Sequence, residues 1–413
     1  MAITDKEEGV WGLDQVYNKI NQGGIWSYTG IPAWFGMGKN DYGQLGQNSL
    51  AALSSPTQLP SGTGTWSKIS SSSGKQFFGL KTDGTAWAWG YNDNGQLGIN
   101  VGAPAYTVKY RSSPTQIGTD STWSSTFSTD GANSFWIKTD GTLWSWGYNP
   151  NGALGLNSPF IGYPFPARSG QKSSPTQVGT NTTWSDVIAG GGSATALKTD
   201  GTLWSWGTNL NGELGRNTVG ASECRSSPVQ IPGTTWSKIA VTSNTKWGIK
   251  TDGTLWGWGS DQFGKLAQNT NQIRLSSPTQ VGTDTTWDKF GQGGSHVLAV
   301  KTDGTLWSWG YNQYGPLGQN QAKAQIYSLS SPTQIPGTNW SQVAGGYLTS
   351  AATKTDGTLW TWGENEGGQL GHDDQGAAPT SYATSRSSPT QVSGTGWSDP
   401  TATRQEFFVK KLL

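Results

Sequence analysis

One motif occurs seven times along the chain, and this repetition limits the possible folds more than any other feature of the sequence. The motif reads Trp-x-Trp-Gly-x-Asn-x-x-Gly-x-Leu-Gly, with small departures, and successive copies begin 51 to 60 residues apart. Its first glycine is found at Gly38, Gly90, Gly147, Gly207, Gly259, Gly310 and Gly363. A Ser-Ser-Pro triplet and a lone tryptophan recur in step with it. A period of this length is typical of repeat folds in which each copy forms one supersecondary unit.

Signals inside each unit predict short antiparallel strands. Lys-Thr-Asp-Gly separates two alternating runs in most units, and Asp-Gly predicts a hairpin with a type I′ turn. Period-two alternation places Trp87 and Trp89 on one face of a strand, and Asn92 follows where its side chain can close a turn. Four short strands per unit predict an all-β, closed seven-bladed β-propeller over residues 31–413, after a short N-terminal arm of residues 1–30.

The two ends of the chain predict how the ring closes. The first unit lacks the Lys-Thr-Asp-Gly hairpin, whereas the C-terminal segment Phe407–Lys411 aligns with Phe77–Lys81, the strand before that hairpin. We therefore expect Phe407–Lys411 to pair with Trp34–Gly38, so that one blade is completed by both chain termini. Such closure removes exposed sheet edges.

Composition argues against several classes of protein. The 413 residues carry a net charge of +1, only 13% are charged, and no run of Lys or Arg forms a basic stripe, so we expect no nucleic-acid partner. No stretch approaches the roughly 18 apolar residues of a membrane helix, so we expect no membrane insertion. The first residues do not resemble a secretory signal, which predicts synthesis in a cytoplasm.

Few residues are candidates for chemistry. His296 precedes a predicted strand, where a structural role is expected, and His372 is placed in an exposed insertion beside two aspartates. Cys224 has no neighbouring histidine in sequence that would serve as its base. We therefore expect no catalytic residue, no metal site and no cofactor.

The segment between Leu-Gly and Ser-Ser-Pro varies in length from 7 to 17 residues, and equivalent loops of a propeller emerge on one face. The longest of these loops carry aromatic residues that we predict to form a partner-binding loop face: Tyr106, Tyr110, Phe160, Tyr163, Phe165 and Tyr382. Exposed aromatic side chains favour recognition of proteins or sugars. The alternative is that the loops drape over the ring and bury their own aromatic side chains.

The units resemble the repeats of the regulator of chromosome condensation family, which read Asp-Gly-x-x-Trp-x-Trp-Gly-x-Asn-x-x-Gly-Gln-Leu-Gly. The resemblance implies a seven-bladed propeller from about Ile31 to the C-terminus. It says less about function, because the family includes an exchange factor, a plant ultraviolet-B photoreceptor and a bacterial enzyme inhibitor. The Gly-Trp-Arg-His-Thr motifs of the photoreceptor are absent here. We therefore interpret the 24 tryptophans as core residues.

The first residues are similar to short N-terminal segments of structural proteins from tailed bacteriophages. The similarity rests on Gly9-Val10-Trp11-Gly12-Leu13 and Gly24-Ile25-Trp26. A short amphipathic helix is expected between these motifs, and the predicted anchor residues are Trp11, Leu13, Val16, Tyr17, Ile20 and Trp26. The alternative is that this arm folds back onto its own propeller.

These observations lead to two hypotheses about function. The first is a non-enzymatic bacteriophage virion protein, displayed on tail or capsid. Its arm would bind other virion proteins, and its loop face would bind a neighbouring subunit or a host cell-surface protein or glycan. The second is a cellular, cytoplasmic propeller that binds proteins as a regulatory or inhibitory module.

Overall fold

The computed structural model describes residues 32–60, 65–70, 75–101, 109–158, 170–271, 273–321, 326–373, 384–402 and 406–412. Their regular structure is almost entirely β. The strands are β1 (Pro32–Gly38), β2 (Leu53–Gln58), β3 (Trp66–Ser70), β4 (Gln76–Lys81), β5 (Ala86–Tyr91), β6 (Tyr110–Gln116), β7 (Trp123–Thr129), β8 (Asn133–Lys138), β9 (Leu143–Gly147), β10 (Lys172–Gln177), β11 (Trp184–Gly190), β12 (Ser193–Lys198), β13 (Leu203–Gly207), β14 (Arg225–Ile231), β15 (Trp236–Thr242), β16 (Thr245–Lys250), β17 (Leu255–Ser260), β18 (Arg274–Gln280), β19 (Trp287–Gln292), β20 (His296–Lys301), β21 (Leu306–Tyr311), β22 (Ser328–Ile335), β23 (Trp340–Gly345), β24 (Thr349–Lys354), β25 (Leu359–Gly363), β26 (Arg386–Val392), β27 (Trp397–Ala402) and β28 (Glu406–Leu412). Short 3-10 helices span Pro150–Gly152, Ala221–Glu223 and Gln262–Gly264.

The strands form seven antiparallel four-stranded sheets, which confirms the predicted seven-bladed propeller. Blade 1 contains β3 to β6, and each following group of four strands forms the next blade up to β23–β26 in blade 6. Blade 7 has the order β2-β1-β28-β27 and so combines both ends of the chain. We call the strands of each blade A to D from the propeller axis outward. The A strands β3, β7, β11, β15, β19, β23 and β27 pack side by side, and β27 returns to β3.

Blade 7 closes the ring as the sequence predicts. The strand pairing of β1 with β28 places Trp34 opposite Lys410 and Gly38 opposite Glu406. Phe408 lies in the interface with blade 1, where its ring centroid is 4.5 Å from that of Phe77. Closure therefore completes a sheet and also fills the contact between the last blade and the first.

The B–C hairpins differ from the predicted turn type. Among the turn residues Thr82, Asp83 and Gly84, positive φ occurs only at Gly84 (φ 80°), whereas a type I′ turn needs it at two central residues. Asp83 Oδ1 instead accepts hydrogen bonds from the backbone N–H and the hydroxyl of Thr85, at 2.9 and 2.6 Å. The Gly84 N–H donates to the Lys81 carbonyl at 3.0 Å. The hairpin is thus a type I turn followed by a left-handed glycine.

The lysine of each Lys-Thr-Asp-Gly has a packing role that the sequence interpretation missed. Lys81 Nζ lies 5.1 Å from the ring centroid of Trp66 and 4.1 Å from that of Trp87. The same arrangement recurs at Lys138, Lys198, Lys250, Lys301 and Lys354. Cation–π contacts of this kind contribute roughly 0.5–2 kcal/mol each. The regular spacing of lysine and tryptophans within the repeat therefore stabilises the A, B and C strands together in blades 1 to 6.

The second tryptophan of each Trp-x-Trp pair fixes one blade to the blade before it. Trp146 is fully buried, and its indole N–H donates to the Gln96 carbonyl of blade 1 at 2.8 Å. Gly98 packs so tightly against this indole that a β-carbon there would lie 2.7 Å from Nε1. Equivalent inter-blade hydrogen bonds are made by Trp89, Trp206, Trp258, Trp309 and Trp362. The core consequently lies between blades, where both faces of each sheet are buried.

Candidate binding surface

The strand directions divide the propeller into two faces. In blade 1, the start of the A strand at Trp66 pairs with the end of the B strand at Lys81, so the Asp-Gly hairpin lies on that side. We call this side the hairpin face. The A–B turns and the C–D connections lie on the opposite side, which we call the variable-loop face. The predicted partner-binding residues belong to C–D connections, except Tyr110, which is the first residue of a D strand.

Of the predicted loop-face residues, the described chain includes only Tyr110. It begins β6, is 40% exposed and pairs with Tyr91 of β5. The remaining loop-face residues, Tyr106, Phe160, Tyr163, Phe165 and Tyr382, lie outside the described residues, as do the arm residues Trp11, Leu13, Val16, Tyr17, Ile20 and Trp26. Whether these side chains come together stays a prediction.

A small aromatic group lies beside Tyr110 on the variable-loop face. Tyr91 makes an edge contact with Tyr42 of blade 7, with 4.9 Å between ring centroids. Lys75 Nζ lies 4.3 Å from the Tyr42 ring centroid and donates to the Tyr42 hydroxyl at 3.2 Å. The Tyr91 hydroxyl donates to Asp93 Oδ2 at 2.6 Å. The phenols of this group are therefore held in place by charged neighbours.

A larger aromatic cluster occupies the same face at blades 4, 5 and 6, and the sequence interpretation did not identify it. It comprises Phe263, Tyr311, Tyr314, Tyr327 and Tyr347. Phe263 stacks on Tyr311 with 4.3 Å between ring centroids, and Tyr327 meets Tyr311 edge-on at 5.1 Å. Tyr327 is 51% exposed and Tyr347 is 40% exposed. We refer to these five residues as the aromatic cluster.

Two members of the aromatic cluster have an unusual backbone. Phe263 and Tyr314 occupy the same position of the Asn-x-x-Gly turn in neighbouring blades, with φ of 69° and 66°. Bulky side chains rarely adopt the left-handed region, and residues held there concentrate at functional sites. The sequence did contain a signal for this site. An aromatic residue occupies a turn position at which blade 2 has an asparagine, Asn151.

The environment of Tyr311 at the centre of the aromatic cluster disfavours its ionisation. Burial, the hydrogen bond with Tyr327 and the nearby phenols of Tyr314 and Tyr347 raise the pKa of Tyr311 to about 12. Its hydroxyl donates to the Gln313 side chain. Tyr347 lies over the backbone of Gly294 in blade 5, where a β-carbon would come within 2.5 Å of its ring. The surface thus offers aromatic rings and phenol hydroxyl groups to a partner.

The candidates for chemistry occupy structural positions. His296 is fully buried and its Nε2 lies 2.7 Å from the Ser350 hydroxyl. His372 was expected to be exposed but is half-buried, and its Nε2 lies 3.0 Å from the Thr361 hydroxyl. Burial raises the pKa of the Cys224 thiol, which disfavours the nucleophilic thiolate. Within the described ranges, no group of three or more His, Cys, Asp or Glu residues is arranged to hold a metal ion, and no helix is long and apolar enough to span a membrane.

Comparison with curated proteins finds relatives of differing function. The chain is 28% identical over 293 residues to the ultraviolet-B receptor UVR8 of Arabidopsis thaliana, covering 69% of the chain and 62% of the receptor. It is 25% identical over 300 residues to the human E3 ubiquitin-protein ligase HERC2, covering 70% of the chain and 6% of the ligase. The match therefore spans less than two thirds of either relative.

Solved structures and family models agree on the fold. Human WBSCR16 superposes with a TM-score of 0.77 at 19% identity, covering 92% of the chain and 98% of that structure. Prp20p of Saccharomyces cerevisiae gives a TM-score of 0.76 at 18% identity, covering 93% of the chain and 92% of that structure. The regulator of chromosome condensation (RCC1) repeat model matches residues 83–126, 140–197, 200–244, 252–300, 303–353 and 356–398, and a second RCC1 model matches 288–315 and 340–369. Because these matches cover well over half of the sequence, the chain belongs to the RCC1 repeat family.

Proposed function

We propose that the chain is a non-enzymatic protein-binding propeller of the regulatory or inhibitory kind, and that the aromatic cluster is its docking surface. The family supports the general role, since the structure of Prp20p is reported with its binding to Gsp1p and histones. Relatives as different as a photoreceptor and a ubiquitin ligase also contain this propeller, so a shared binding scaffold accounts for them better than a shared reaction does.

The observation that carries the proposal is the exposure of Tyr327 and Tyr347 beside two rings on strained backbone. Tyrosine is enriched among residues that dominate the energetics of protein interfaces. The cluster bridges three blades, so a partner bound there would contact a rigid surface. The chain's net charge of +1 gives no long-range attraction to a highly charged partner, which agrees with a docking surface made of aromatic side chains.

The proposal is tested by replacing Tyr327 and Tyr347 together with Ser. We expect loss of partners that cross-link to the variable-loop face, with about 1 kcal/mol or less of change in stability because both residues are exposed. The matched control is Leu210→Ser with Val219→Ser, which changes residues that are 48% and 44% exposed on the same face at blade 3. Cross-linking with mass spectrometry gives the readout. The assignment of the docking surface is contradicted if both double variants lose the cross-links equally, or if neither variant loses them.

The virion role remains a second hypothesis that rests on the sequence of residues 1–30. None of the relatives described above is a virion protein, and those residues lie outside the described part of the chain. Deletion of residues 1–30 separates the two hypotheses. A virion component is expected to lose association with particles, whereas a cytoplasmic binding module is expected to keep its partner.

A further inference from the structure

The seven A strands enclose a channel along the propeller axis. Its inner part is a cavity of about 340 Å³, which is continuous with a wider vestibule of about 750 Å³ because Lys68, Asp186 and Ile239 line both. The vestibule opens toward the hairpin face, where the A strands begin. Pockets of roughly 300–1,000 Å³ are typical of small-molecule sites. The inner cavity is therefore large enough for a ligand of about the size of an amino acid.

The charged groups of the outer vestibule are largely satisfied by neighbouring blades. Lys238 is ion-paired with Asp288, and Lys289 Nζ donates to the Ser341 carbonyl at 2.7 Å. Gln342 Nε2 donates to Asp399 Oδ1 at 2.9 Å. These contacts tie the A strands together and leave little charge for a ligand to neutralise at this level.

Two opposite charges in the inner cavity are not paired with each other. Asp186 Oδ1 accepts the Val187 N–H at 2.8 Å, and no cationic side chain of the described residues forms an ion pair with this carboxylate. Lys68 Nζ donates to the Ser125 carbonyl at 2.7 Å, which uses one of the three N–H groups of an ammonium. The cavity therefore presents one carboxylate and one ammonium with unused hydrogen-bonding capacity.

The surroundings increase the cost of leaving these charges unmatched. Burial raises the pKa of Asp186 to about 6, against the lowering effect of the Val187 N–H and Lys68. Burial also lowers the pKa of Lys68, while Asp186 and Asp399 raise it. With a pKa of about 6, the Asp186 carboxyl is still mostly ionised at pH 7, in a site that disfavours charge. A ligand that supplies the complementary charges would replace the lost hydration.

The rest of the inner cavity is lined by apolar side chains together with the hydroxyl-bearing residues Ser70, Thr126, Ser128, Thr129 and Thr401. Its apolar side chains include Phe127, Ile188, Ile239, Phe290 and Val343. Phe127 and Ile239 are only 8% and 6% exposed, and both line the cavity. The apolar part of this lining would bury an aliphatic or aromatic group of a ligand.

We propose that the channel binds a small zwitterion of the α-amino-acid type, with its ammonium on Asp186, its carboxylate on Lys68 and an apolar side chain on the cavity wall. A simple amine would pair with Asp186 but would leave Lys68 without a counter-charge. A simple carboxylic acid would pair with Lys68 but would leave Asp186 without one. The site is separate from the aromatic cluster, and it does not depend on the protein-binding role.

The test is a calorimetric titration of the full chain with L-leucine, L-phenylalanine and two compounds that each lack one charge of leucine. These are 3-methylbutylamine and 4-methylpentanoic acid. We expect saturable binding of at least one of the two amino acids and an increase in melting temperature. The single-charge compounds are expected to bind at least about tenfold more weakly than leucine. Absence of binding by both amino acids up to about 10 mM, or equal binding of leucine and either single-charge compound, overturns the proposal.

Variants locate the site within the channel. Asp186→Asn and Lys68→Met are each expected to weaken amino-acid binding by about tenfold or more. Lys289→Gln is the matched control, because Lys289 lines the vestibule but not the inner cavity. Undiminished binding in both cavity variants contradicts the proposal. If a cavity variant does not fold, as judged by its melting curve, the compound series on the unaltered chain decides the question.

Discussion

At the scale of single residues, His296 makes stability depend on pH. Burial, and then the nearby Lys265 ammonium, lower the pKa of His296 to about 3, whereas an unfolded histidine titrates near 6.5. Between these values the unfolded chain binds the proton and the folded chain does not. The stabilisation is therefore complete above about pH 6.5 and is lost as the pH falls toward 3. We expect this residue to account for a loss of roughly 3 kcal/mol between pH 7 and pH 4.

The measurement is the difference in urea midpoint between pH 7 and pH 4. Other groups also titrate in this range, so the contribution of His296 is the part removed by His296→Gln, whose amide can still bond to Ser350. His372→Gln is the control, because His372 is only half-buried. The same pH dependence in the chain with His296→Gln as in the unaltered chain contradicts the assignment.

The role of a residue could be predicted where its side chain forms hydrogen bonds only with backbone groups close to it in sequence. Asn92 was expected to close a turn, and its Oδ1 accepts the Leu97 N–H at 3.0 Å while its Nδ2 donates to the Val101 carbonyl at 3.0 Å. The aromatic cluster could not be predicted in this way. Its contacts join Phe263 of blade 4 to Tyr311 and Tyr327 of blade 5, and such proximity depends on how blades stack.

At the scale of the element, each C strand of blades 1 to 6 carries two tryptophans with unequal roles. In β13, Trp206 is fully buried and donates to the Ala153 carbonyl of the preceding blade at 2.9 Å. Trp204 is half-buried, lies under Lys198 and donates to the Thr202 hydroxyl of its own hairpin at 3.0 Å. The first position thus stabilises a blade internally, and the second stabilises the contact between blades.

We therefore expect different costs for the two alanine substitutions in β13. Trp206→Ala should destabilise the protein by roughly 3–5 kcal/mol, because it creates a cavity and leaves a buried carbonyl without its donor. Trp204→Ala should cost roughly 1–2 kcal/mol, from lost packing and the lost cation–π contact. Denaturant unfolding of the two variants gives the comparison. Equal costs would show that position within the strand does not decide the role.

The hairpins show where sequence patterns fall short at the element scale. Asp-Gly correctly marked every B–C turn, yet the turn type was wrong because Thr85 provides two hydrogen-bond donors to Asp83. Those bonds hold Asp83 outside the left-handed region, and Gly84 alone supplies the positive φ. The Asp-Gly dipeptide predicts that the chain reverses direction at this point, while the threonine that follows it determines the type of turn.

At the scale of the whole molecule, the ring was predictable because repetition and closure are both visible in the sequence. Seven copies fixed the number of blades, and the missing hairpin of the first unit had its counterpart at the C-terminus. The axial channel was not predictable, because its lining comes from seven strands that are distant in sequence. Lys68 and Asp186, for example, belong to blades 1 and 3 and line one cavity only in the assembled ring.

The closing strand β28 should be essential to the fold. A chain ending at residue 402 loses Phe407, Phe408 and Val409, which are all buried, and it leaves β1 and β27 without their shared neighbour. Burial of three such side chains contributes roughly 5–9 kcal/mol, which is comparable to the entire stability of a typical domain. We expect the truncated chain to lose cooperative unfolding and to self-associate through its open sheet edges, as measured by calorimetry and light scattering.

The cause of this loss can be separated from simple shortening by moving the strand. β28 and β1 are antiparallel neighbours with Leu412 opposite Pro32, so residues 403–412 can be placed before Pro32 through a Thr-Asp-Gly turn like those of the other blades. Residues 1–31 are omitted from this rearranged chain, and a chain of residues 32–413 in natural order serves as its reference. We expect the rearranged chain to unfold cooperatively, with a melting temperature near that of its reference, because every strand pair of blade 7 is restored. If the truncated chain alone keeps the stability of the full chain, the ring does not depend on joining its two ends.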